Sequence, residues 1–453
     1  MEKLGHGSFG NVYKFKNKYG KEHALKASKA VSFSFGINDI REVDISLRLR
    51  HPYVNQLLDY NASNVVDDKH SKYTLTYPLA KGTFFYLQEK LEYEEDYIVY
   101  FNQLLLGLKY VHSRDIILVD IKPENILYYE DEDAVRYNDF GLSIYNDIIF
   151  KSQIAGTQFY MAPELFFNKI IDKKSDIWSL GMTFIYMLTE MLPQEEAWKD
   201  AESKKFGDTA NYKEYYLTVL RVKIYDALLK INNQDLVSLI NSMLSIELDK
   251  RPSARDLLKL PIFQSHRTQE LIIEKLFSGC PIKLLYINAH DLRNYTDIFN
   301  ILIYAYSKTY DVGEKWAWFN AVDILNYLIT IQASDIEEID DAIAALILSL
   351  KIYSSDFYQI QNIKNFIPSN INLDLASVED SEVKIFKILK GKIYRKNIFS
   401  FLVNLKIEFN DKILAEYVLS TAFEGEMPNY SFDFLSFIGI KNHNEIISSL
   451  IDL

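Results

Sequence analysis

The sequence contains a single cysteine, Cys280, among 453 residues, which excludes an intramolecular disulfide framework and a cysteine-rich zinc site. It also has no apolar run that approaches the ~20 residues with which a helix crosses a bilayer. The first ten residues lack the apolar core of a signal peptide. These absences predict a soluble, intracellular protein of a reducing compartment, and they do not distinguish cytoplasm from nucleus.

Basic residues are outnumbered, with 50 Lys and Arg against 62 Asp and Glu, so that the net charge is −12 at pH 7. An acidic chain is poorly suited to coat nucleic acid or an anionic membrane. We therefore predict no nucleic-acid partner and no membrane partner. The hydrophobic fraction of 48% is that of an ordinary globular protein. The length predicts about two to four folded units.

The hydrophobic pattern changes along the chain. Short strand-like stretches surround one helical stretch near 38–49, whereas apolar residues recur at helical spacing from about 94 to 263 and again beyond about 290. The pattern predicts a small β-rich lobe, a larger helical lobe, a connector and a second, all-helical domain. The predicted bounds are about 1–80, about 81–265, 266–288 and 289–453.

Glycines are few, yet three of the 16 fall within residues 5–10, Gly-His-Gly-Ser-Phe-Gly. Glycines at this spacing let a hairpin backbone approach phosphates closely, although a plain glycine turn explains them equally well. Val12 and the strand context favour a kinase-type loop over a dinucleotide-binding turn, which should open a helix. Lys26, in a following strand, could hold the α- and β-phosphates, with Glu42 in the next helix as its partner.

The central motifs are Asp-Ile-Lys-Pro-Glu-Asn at 120–125 and Asn-Asp-Phe-Gly at 138–141. With them the sequence resembles the eukaryotic protein kinase family. Ala-Pro-Glu at 162–164, Asp-Ile-Trp-Ser-Leu-Gly at 176–181 and Arg-Pro at 251–252 complete the family's order and spacing over about residues 1–265. The resemblance implies an α+β, bilobal kinase fold with a β-rich N-lobe and a helical C-lobe, followed here by an all-α domain.

The resemblance also implies ATP- and Mg²⁺-dependent transfer of the γ-phosphate to serine or threonine hydroxyls of protein substrates. Asp120 would orient the hydroxyl and accept its proton, and Lys122 would steady the migrating phosphoryl group. Asn125 and Asp139 would hold Mg²⁺, which prefers oxygen ligands. Lys122, together with Thr157, is typical of the serine/threonine branch. The positions that match the family's ATP-binding residues are Leu4, Gly5, His6, Gly7, Ser8, Phe9, Gly10, Val12, Ala24, Lys26, Glu42, Thr76 and Asp139.

Other positions depart from the family pattern. Leu118-Val119 replaces the usual His-Arg before the catalytic aspartate. In the cyclin-dependent branch three arginines clamp a phosphothreonine. Here only Arg41 matches, Val119 and Ile144 occupy the other two positions, and Ser152 stands at the threonine position. We therefore predict activity without activation-segment phosphorylation. Ser46, where kinases usually have a large apolar residue, predicts weaker packing of the helix that carries Glu42.

The tail resembles a cyclin box in the order and spacing of three helical stretches, 316–329, 341–353 and 382–389. Lys351 and Glu382 match the lysine and glutamate with which cyclins grip the kinase. In the kinase half, Ile-Arg-Glu at 40–42 resembles the cyclin-docking helix of cyclin-dependent kinases. Ile40 would be the apolar residue that the tail covers, although a plain core position explains it equally well. The contact candidates are Ile40, Arg41, Lys351 and Glu382.

The combined resemblance implies a kinase with a fused cyclin-like domain that activates it within one chain, or between two molecules of a dimer. Two alternatives stay open: a pseudokinase scaffold that binds partners without phosphate transfer, and an active kinase whose tail is an unrelated interaction module. Phe159–Ala162 differs from the Trp-x-Tyr-Arg of proline-directed relatives. Ser-Pro substrates are therefore not predicted.

Overall fold

The computed structural model describes residues 2–6, 10–17, 20–28, 37–62, 73–146, 156–204, 206, 208–266, 302, 305–306, 312–330, 339–353, 363–367 and 374–394. Most of the predicted connector, 266–288, and the tail beyond residue 394 lie outside these ranges. No helix in the described ranges combines the length and the hydropathy of a membrane span.

An antiparallel five-stranded sheet forms the first lobe, in the strand order β1-β2-β3-β5-β4. Its strands are β1 (Glu2–His6), β2 (Gly10–Lys16), β3 (Glu22–Ser28), β4 (Asp59–Ala62) and β5 (Tyr73–Pro78). Lys26 on β3 pairs with Val12 on one side and with Leu75 on the other. The register therefore fixes the lysine at the middle of the sheet, directly beside the strand that follows the glycine-rich segment.

Helix α1 (Ile37–Ser46) carries Glu42, and its last two turns are buried on every face. A surface helix normally keeps one polar, solvated face. Here the residues that would form such a face, among them Arg41 and Asp44, are at most 7% exposed. A second structural layer therefore covers the side of α1 that a small lobe alone would leave in water.

The larger lobe is mostly helical and has two small sheets. Its helices are α2 (Tyr86–Lys90), α3 (Tyr97–Ser113), α4 (Pro163–Asn168), α5 (Lys173–Thr189), α6 (Pro193–Glu202), α7 (Thr209–Leu228), α8 (Gln234–Met243) and α9 (Ala254–Leu257). Its strands are β6 (Gly82–Thr83), β7 (Ile116–Ile117), β8 (Ile126–Tyr129), β9 (Ala134–Tyr137) and β10 (Ile144–Tyr145). Pairing of β7 with β10 joins the chain on either side of the predicted catalytic segment, because Tyr145 lies opposite Ile116.

Apolar packing explains why the two central helices of this lobe form. The rings of Phe101 on α3 and Phe184 on α5 stack with centroids 3.6 Å apart. Asp172 begins α5 by accepting a hydrogen bond from the backbone N–H of Lys174, as a helix N-cap residue does. The helical pattern predicted from about 94 to 263 is confirmed, and its core supports the loops between β7 and α4.

In the part of the tail that the structure describes, three helices have defined bounds, α10 (Val312–Thr330), α11 (Ile339–Tyr353) and α12 (Leu375–Ile388), and they contain most of the three predicted stretches. Every residue of α11 from Asp341 to Tyr353 is buried. Helix α11 packs against α10, α12 and α1. It is therefore the central helix of the described tail and the layer that covers α1.

Candidate active site

Lys26 lies between two carboxylates. Its Nζ donates hydrogen bonds to Oε1 and Oε2 of Glu42 at 2.8 and 2.7 Å, and to Oδ1 of Asp139 at 3.0 Å. Burial alone would lower the pKa of Lys26, but the charges of Glu42 and Asp139 outweigh it and raise the pKa above its ordinary value. The ammonium is therefore fixed in place with its charge retained.

Glu42 is the buried member of this group. Burial raises its pKa to about 7, against the opposing effect of the Lys26 ammonium. The hydroxyl of Tyr77 on β5 donates a further hydrogen bond to Oε1 of Glu42 at 3.3 Å. No motif in the sequence singles out Tyr77, since a tyrosine in a strand is ordinary.

Asp120 is held by the side chains around it. Its Oδ2 accepts from Nδ2 of Asn125 at 2.8 Å and lies 2.9 Å from Nζ of Lys122. Its Oδ1 accepts from the backbone N–H and from the hydroxyl of Thr157, both at 2.8 Å. Lys122 also donates to the Thr157 hydroxyl. Two oxygens with three donor residues leave this carboxylate little freedom to rotate.

Asp176 supports the backbone that carries Asp120. Buried on α5, it accepts hydrogen bonds from the backbone N–H groups of Leu118 at 2.8 Å and Val119 at 2.9 Å. The ring of His112 also contacts this carboxylate, with Nε2 of His112 2.9 Å from Oδ2 of Asp176. Val119 has a φ of 71°, which a β-branched residue rarely adopts, so these bonds hold a strained backbone. Asp176 begins the Asp-Ile-Trp-Ser-Leu-Gly motif, whereas no motif in the sequence singles out His112.

Asp139 also has a left-handed backbone, with a φ of 63°. The residues next to it are fixed, because Asn138 accepts a hydrogen bond from Asn55 at 2.8 Å and Phe140 is fully buried. The turn directs Asp139 toward Lys26 from the larger lobe, while Glu42 approaches from α1. Three segments that are far apart in sequence thus meet at one ammonium.

The structure describes most of the predicted nucleotide-binding positions. Gly5 pairs with Val12 across β1 and β2, and a Cβ built on Gly5 would meet nothing within 4 Å. Leu4 on β1 is exposed, and Ala24 pairs with Tyr77, one residue after Thr76. His6 ends β1 and Gly10 begins β2. Gly7, Ser8 and Phe9 lie outside the described residues.

Of the four residues predicted as contacts between tail and kinase half, Ile40 and Arg41 lie on α1, Lys351 lies on α11 and Glu382 on α12. Nε of Arg41 donates to the carbonyl of Ile352 at 3.2 Å, and Ile40 is fully buried. Lys351 and Glu382 form a buried ion pair with each other. The hydrogen bond from α1 is thus accepted by the carbonyl that follows Lys351. Burial lowers the pKa of Arg41 to about 9.

A buried arginine–glutamate pair lies deep in the larger lobe. Arg251 donates from Nη1 and Nη2 to Glu164 at 2.8 and 3.1 Å. Both side chains are buried, and Ser175 donates to the same carboxylate at 2.8 Å. The pair joins the Ala-Pro-Glu segment to the Arg-Pro segment, and it ties α4 to the loop before α9.

Comparison with known proteins agrees with this geometry. Residues 1–263, more than half of the chain, match the family model described as protein kinase domain. An Aurora kinase of Yarrowia lipolytica is 31% identical over 264 residues, which cover 57% of this chain and 66% of that protein. The ovarian-specific serine/threonine-protein kinase Lok of Drosophila melanogaster is 29% identical over 279 residues, covering 57% and 54%.

The G2-specific protein kinase fin1 of Schizosaccharomyces pombe is 28% identical over 300 residues, covering 59% of this chain and 39% of that protein. The chain thus spans between about two fifths and two thirds of the length of these three relatives. The protein kinase family uses ATP and Mg²⁺. Since the matching family model covers the whole segment that carries Lys26, Asp120 and Asp139, the chain belongs to the protein kinase family.

Proposed function

We propose that the protein is an ATP- and Mg²⁺-dependent serine/threonine kinase that transfers the γ-phosphate of ATP to hydroxyls of protein substrates. The observation that carries this proposal is the group formed by Lys26, Glu42 and Asp139, with nitrogen–oxygen distances of 2.7–3.0 Å. Positioning and charge neutralisation supply most of the catalysis in phosphoryl transfer. This group supplies a fixed cation that can neutralise charge on the phosphates of ATP.

Asp120 orients the substrate hydroxyl and accepts its proton. Its carboxylate is held by Thr157, Asn125 and Lys122, so it meets an incoming hydroxyl in one orientation. Lys122 carries the positive charge that balances the migrating phosphoryl group. The hydroxyl of Thr157 contacts both Asp120 and Lys122, which supports a preference for serine and threonine.

Asn125 and Asp139 fit a magnesium site. Within the described residues, neither Oδ1 of Asn125 nor Oδ2 of Asp139 accepts a hydrogen bond, while the other polar atom of each side chain is engaged. Two free oxygens suit Mg²⁺, which takes few protein ligands and several phosphate oxygens or waters. No group of three His, Cys, Asp or Glu in the described part of the chain could hold a metal alone. When bound there, Mg²⁺ would neutralise negative charge on the phosphates of ATP.

The kinase domain comprises residues 1–265, and a connector, 266–288, leads to a cyclin-like domain, 289–453, that activates the kinase by docking on α1. This proposal is supported by the burial of the last two turns of α1 and by the hydrogen bond from Arg41 to Ile352. Burial of apolar surface against α11 stabilises α1 in the position from which Glu42 reaches Lys26. A tether within one chain gives an effective concentration on the order of mM.

Phosphate transfer is tested with the full chain, radiolabelled ATP and a peptide library. We expect labelling of serine and threonine, and a loss of about 10²–10⁴-fold in Asp120→Asn, because a positioned general base contributes about that much. Lys250→Ala, at an exposed lysine, is the matched control and should keep its rate. ATP binding without transfer in the unmodified chain would indicate the pseudokinase scaffold instead.

Activation by the tail is tested with two glycines of positive φ. A Cβ on Gly391, with φ +73°, would lie 2.7 Å from Cγ1 of Val43 and 2.8 Å from Cδ1 of Leu47, both at α1. A Cβ on Gly20, with φ +80°, would meet nothing within 4 Å. Both alanine variants carry a similar backbone strain of about 1–2 kcal/mol, but only Gly391→Ala pushes the tail away from α1.

We therefore expect Gly391→Ala to lower kcat/KM by about tenfold or more, and Gly20→Ala to keep it within about twofold. Circular dichroism should show the same helix content in both variants. Equal activity of the two variants, or full activity after deletion of residues 285–453, would leave the tail as an interaction module without an activating role.

A further inference from the structure

The tail meets the kinase half at a second point, on Asp44 of α1. This carboxylate is fully buried, and its Oδ1 accepts hydrogen bonds from the backbone N–H groups of Ile393 at 2.6 Å and Tyr394 at 3.2 Å. Arg48 donates to both of its oxygens, at 3.0 and 3.2 Å. Two residues after Glu42, α1 therefore carries an acceptor for the tail backbone.

Arg48 engages the same two residues of the tail from the other side. Its Nη2 donates to the carbonyl of Tyr394 at 2.6 Å. Asp44 and Arg48 are one helical turn apart and form an ion pair. The pair therefore binds the dipeptide 393–394 through N–H groups and through a carbonyl, that is, through backbone atoms at both ends.

The side chain of Tyr394 extends this contact to the start of the activation segment. Its ring stacks on that of Tyr145 with centroids 3.6 Å apart and an interplanar angle of 12°. The Tyr145 hydroxyl in turn donates to Oδ2 of Asp44. Tyr145 belongs to β10, four residues after Gly141, and pairs with Ile116 just before the segment that carries Asp120.

One dipeptide of the tail thus contacts both elements that complete the site: the helix of Glu42 and the strand that follows Asp139. We propose that Asp44 is a positioning residue for phosphoryl transfer, which joins α1 and β10 to the tail dipeptide 393–394 so that both elements adopt their active positions together. This inference rests on the proposed function and deepens it. It assigns to the tail a direct action on the activation segment, in addition to its cover of α1.

The contact with residues 393–394 favours the arrangement in which the tail is docked on α1, because its hydrogen bonds and ring stacking form only in that arrangement. Without the dipeptide, Asp44 loses two N–H donors, Arg48 loses a carbonyl acceptor, and Tyr145 loses its stacking partner. A contact made in one of two states shifts the equilibrium toward that state by its differential free energy. The carboxylate of Asp44, two residues from Glu42, therefore links docking of the tail to the positions of Glu42 and Asp139.

The test begins with three aromatic-residue variants of the full chain. Tyr394→Ala removes the stacked ring and keeps the backbone, whereas Tyr394→Phe keeps the ring. Tyr60→Ala is the matched control, because the edge-on ring contact of Tyr60 with Phe386 joins the tail to β4 rather than to Asp44 or Tyr145. The measurements are kcat, KM for ATP and amide hydrogen exchange of residues 143–146, which reports local opening.

We expect Tyr394→Ala to lower kcat about tenfold and to speed exchange at 143–146 about tenfold. Tyr394→Phe and Tyr60→Ala should stay within about twofold in both measurements. Asp44→Asn, which keeps the shape but loses the charge, should resemble Tyr394→Ala, and the double variant should lose no more than the worse single variant, since both act through one contact.

Unchanged exchange at 143–146 in both Tyr394→Ala and Asp44→Asn would overturn the inference, and so would an equal effect of Tyr60→Ala. Exchange needs no catalysis, so it tests the coupling even in a chain that transfers no phosphate. Activity lost in Gly391→Ala but kept in Tyr394→Ala would retain the activating tail and remove only the role of Asp44.

Discussion

The hydroxyl of Tyr77 lies 3.3 Å from Oε1 of Glu42, and it is also 3.4 Å from Oγ of Ser46. A serine at position 46 predicts weaker packing of α1, yet the structure shows it buried and in contact with a tyrosine that supports the same glutamate. The large apolar side chain usual at this place is thus replaced by a polar contact between α1 and β5.

Tyr77→Phe should therefore disturb α1 without creating a cavity. The change removes one donor from a buried carboxylate, and we expect a loss of about 1 kcal/mol in the free energy of unfolding and about a fivefold rise in KM for ATP. Urea unfolding and initial-rate kinetics measure the two effects. Tyr225→Phe, at an exposed position of α7, is the control. Full retention of both quantities in Tyr77→Phe would contradict the role given to this hydroxyl.

The pH dependence of activity should follow Glu42. Its pKa is raised from 4.5 to about 7 by burial, so its charge is lost as the pH falls through about 7. The neutral form holds Lys26 less firmly, and kcat/KM should decline below neutrality. Because the pKa is higher in the folded state, ionisation of Glu42 stabilises the unfolded chain more, and this group's contribution to stability is lost as the pH rises from about 4.5 to about 7.

A profile of kcat/KM between about pH 5.5 and 9, with a thermal midpoint at each pH, measures both trends. In Glu42→Gln we expect a lower rate, and we expect kcat/KM to show no decline as the pH falls through about 7. A wild-type profile that stays level down to pH 5.5 would show that Glu42 keeps its charge throughout this range.

The buried pair of Arg251 and Glu164 should be far more important for stability than an exposed pair of similar geometry. Arg251→Met leaves the carboxylate of Glu164 without its cation, which typically costs about 3–5 kcal/mol. Lys259→Ala breaks the ion pair of Lys259 with Asp256, in which the two side chains are 65% and 56% exposed. This change should lower the free energy of unfolding by less than about 1 kcal/mol. Denaturant unfolding of both variants gives the comparison, and equal losses would contradict it.

Phosphatase treatment should leave the initial rate within about twofold of its starting value, and Ser152→Ala should do the same. Ser152 lies outside the described residues. Of the three positions at which the cyclin-dependent branch binds a phosphate, Val119 and Ile144 are uncharged and buried, and Arg41 donates to Ile352. Loss of activity after dephosphorylation, with the phosphate count followed by intact mass, would require another phosphate-binding group.

The sequence predicts those parts of the site that depend on residue type and spacing along the chain. A lysine in a strand, a glutamate in the next helix and Asp-Phe-Gly further on suffice to predict that Lys26, Glu42 and Asp139 converge. The family match over residues 1–263 supports the fold that this prediction assumes.

Contacts that depend on tertiary geometry leave no periodic signal in the sequence. Thr157, used only as a mark of the serine/threonine branch, supplies two donors to Asp120. His112 beside Asp176 and Tyr77 beside Glu42 are ordinary residues in ordinary elements until the chain folds. The pairing of Lys351 with Glu382 likewise depends on how α11 and α12 cross.

Asp44 and Ile393, which share a hydrogen bond, are 349 residues apart in the chain. Ribosomes add about 5–20 residues per second, so roughly 17–70 s of synthesis separate the two. During that interval the nascent lobes fold without the dipeptide that binds Asp44. Under the proposed function, the enzyme has low activity while it is translated and becomes fully active only after residue 394 has left the exit tunnel.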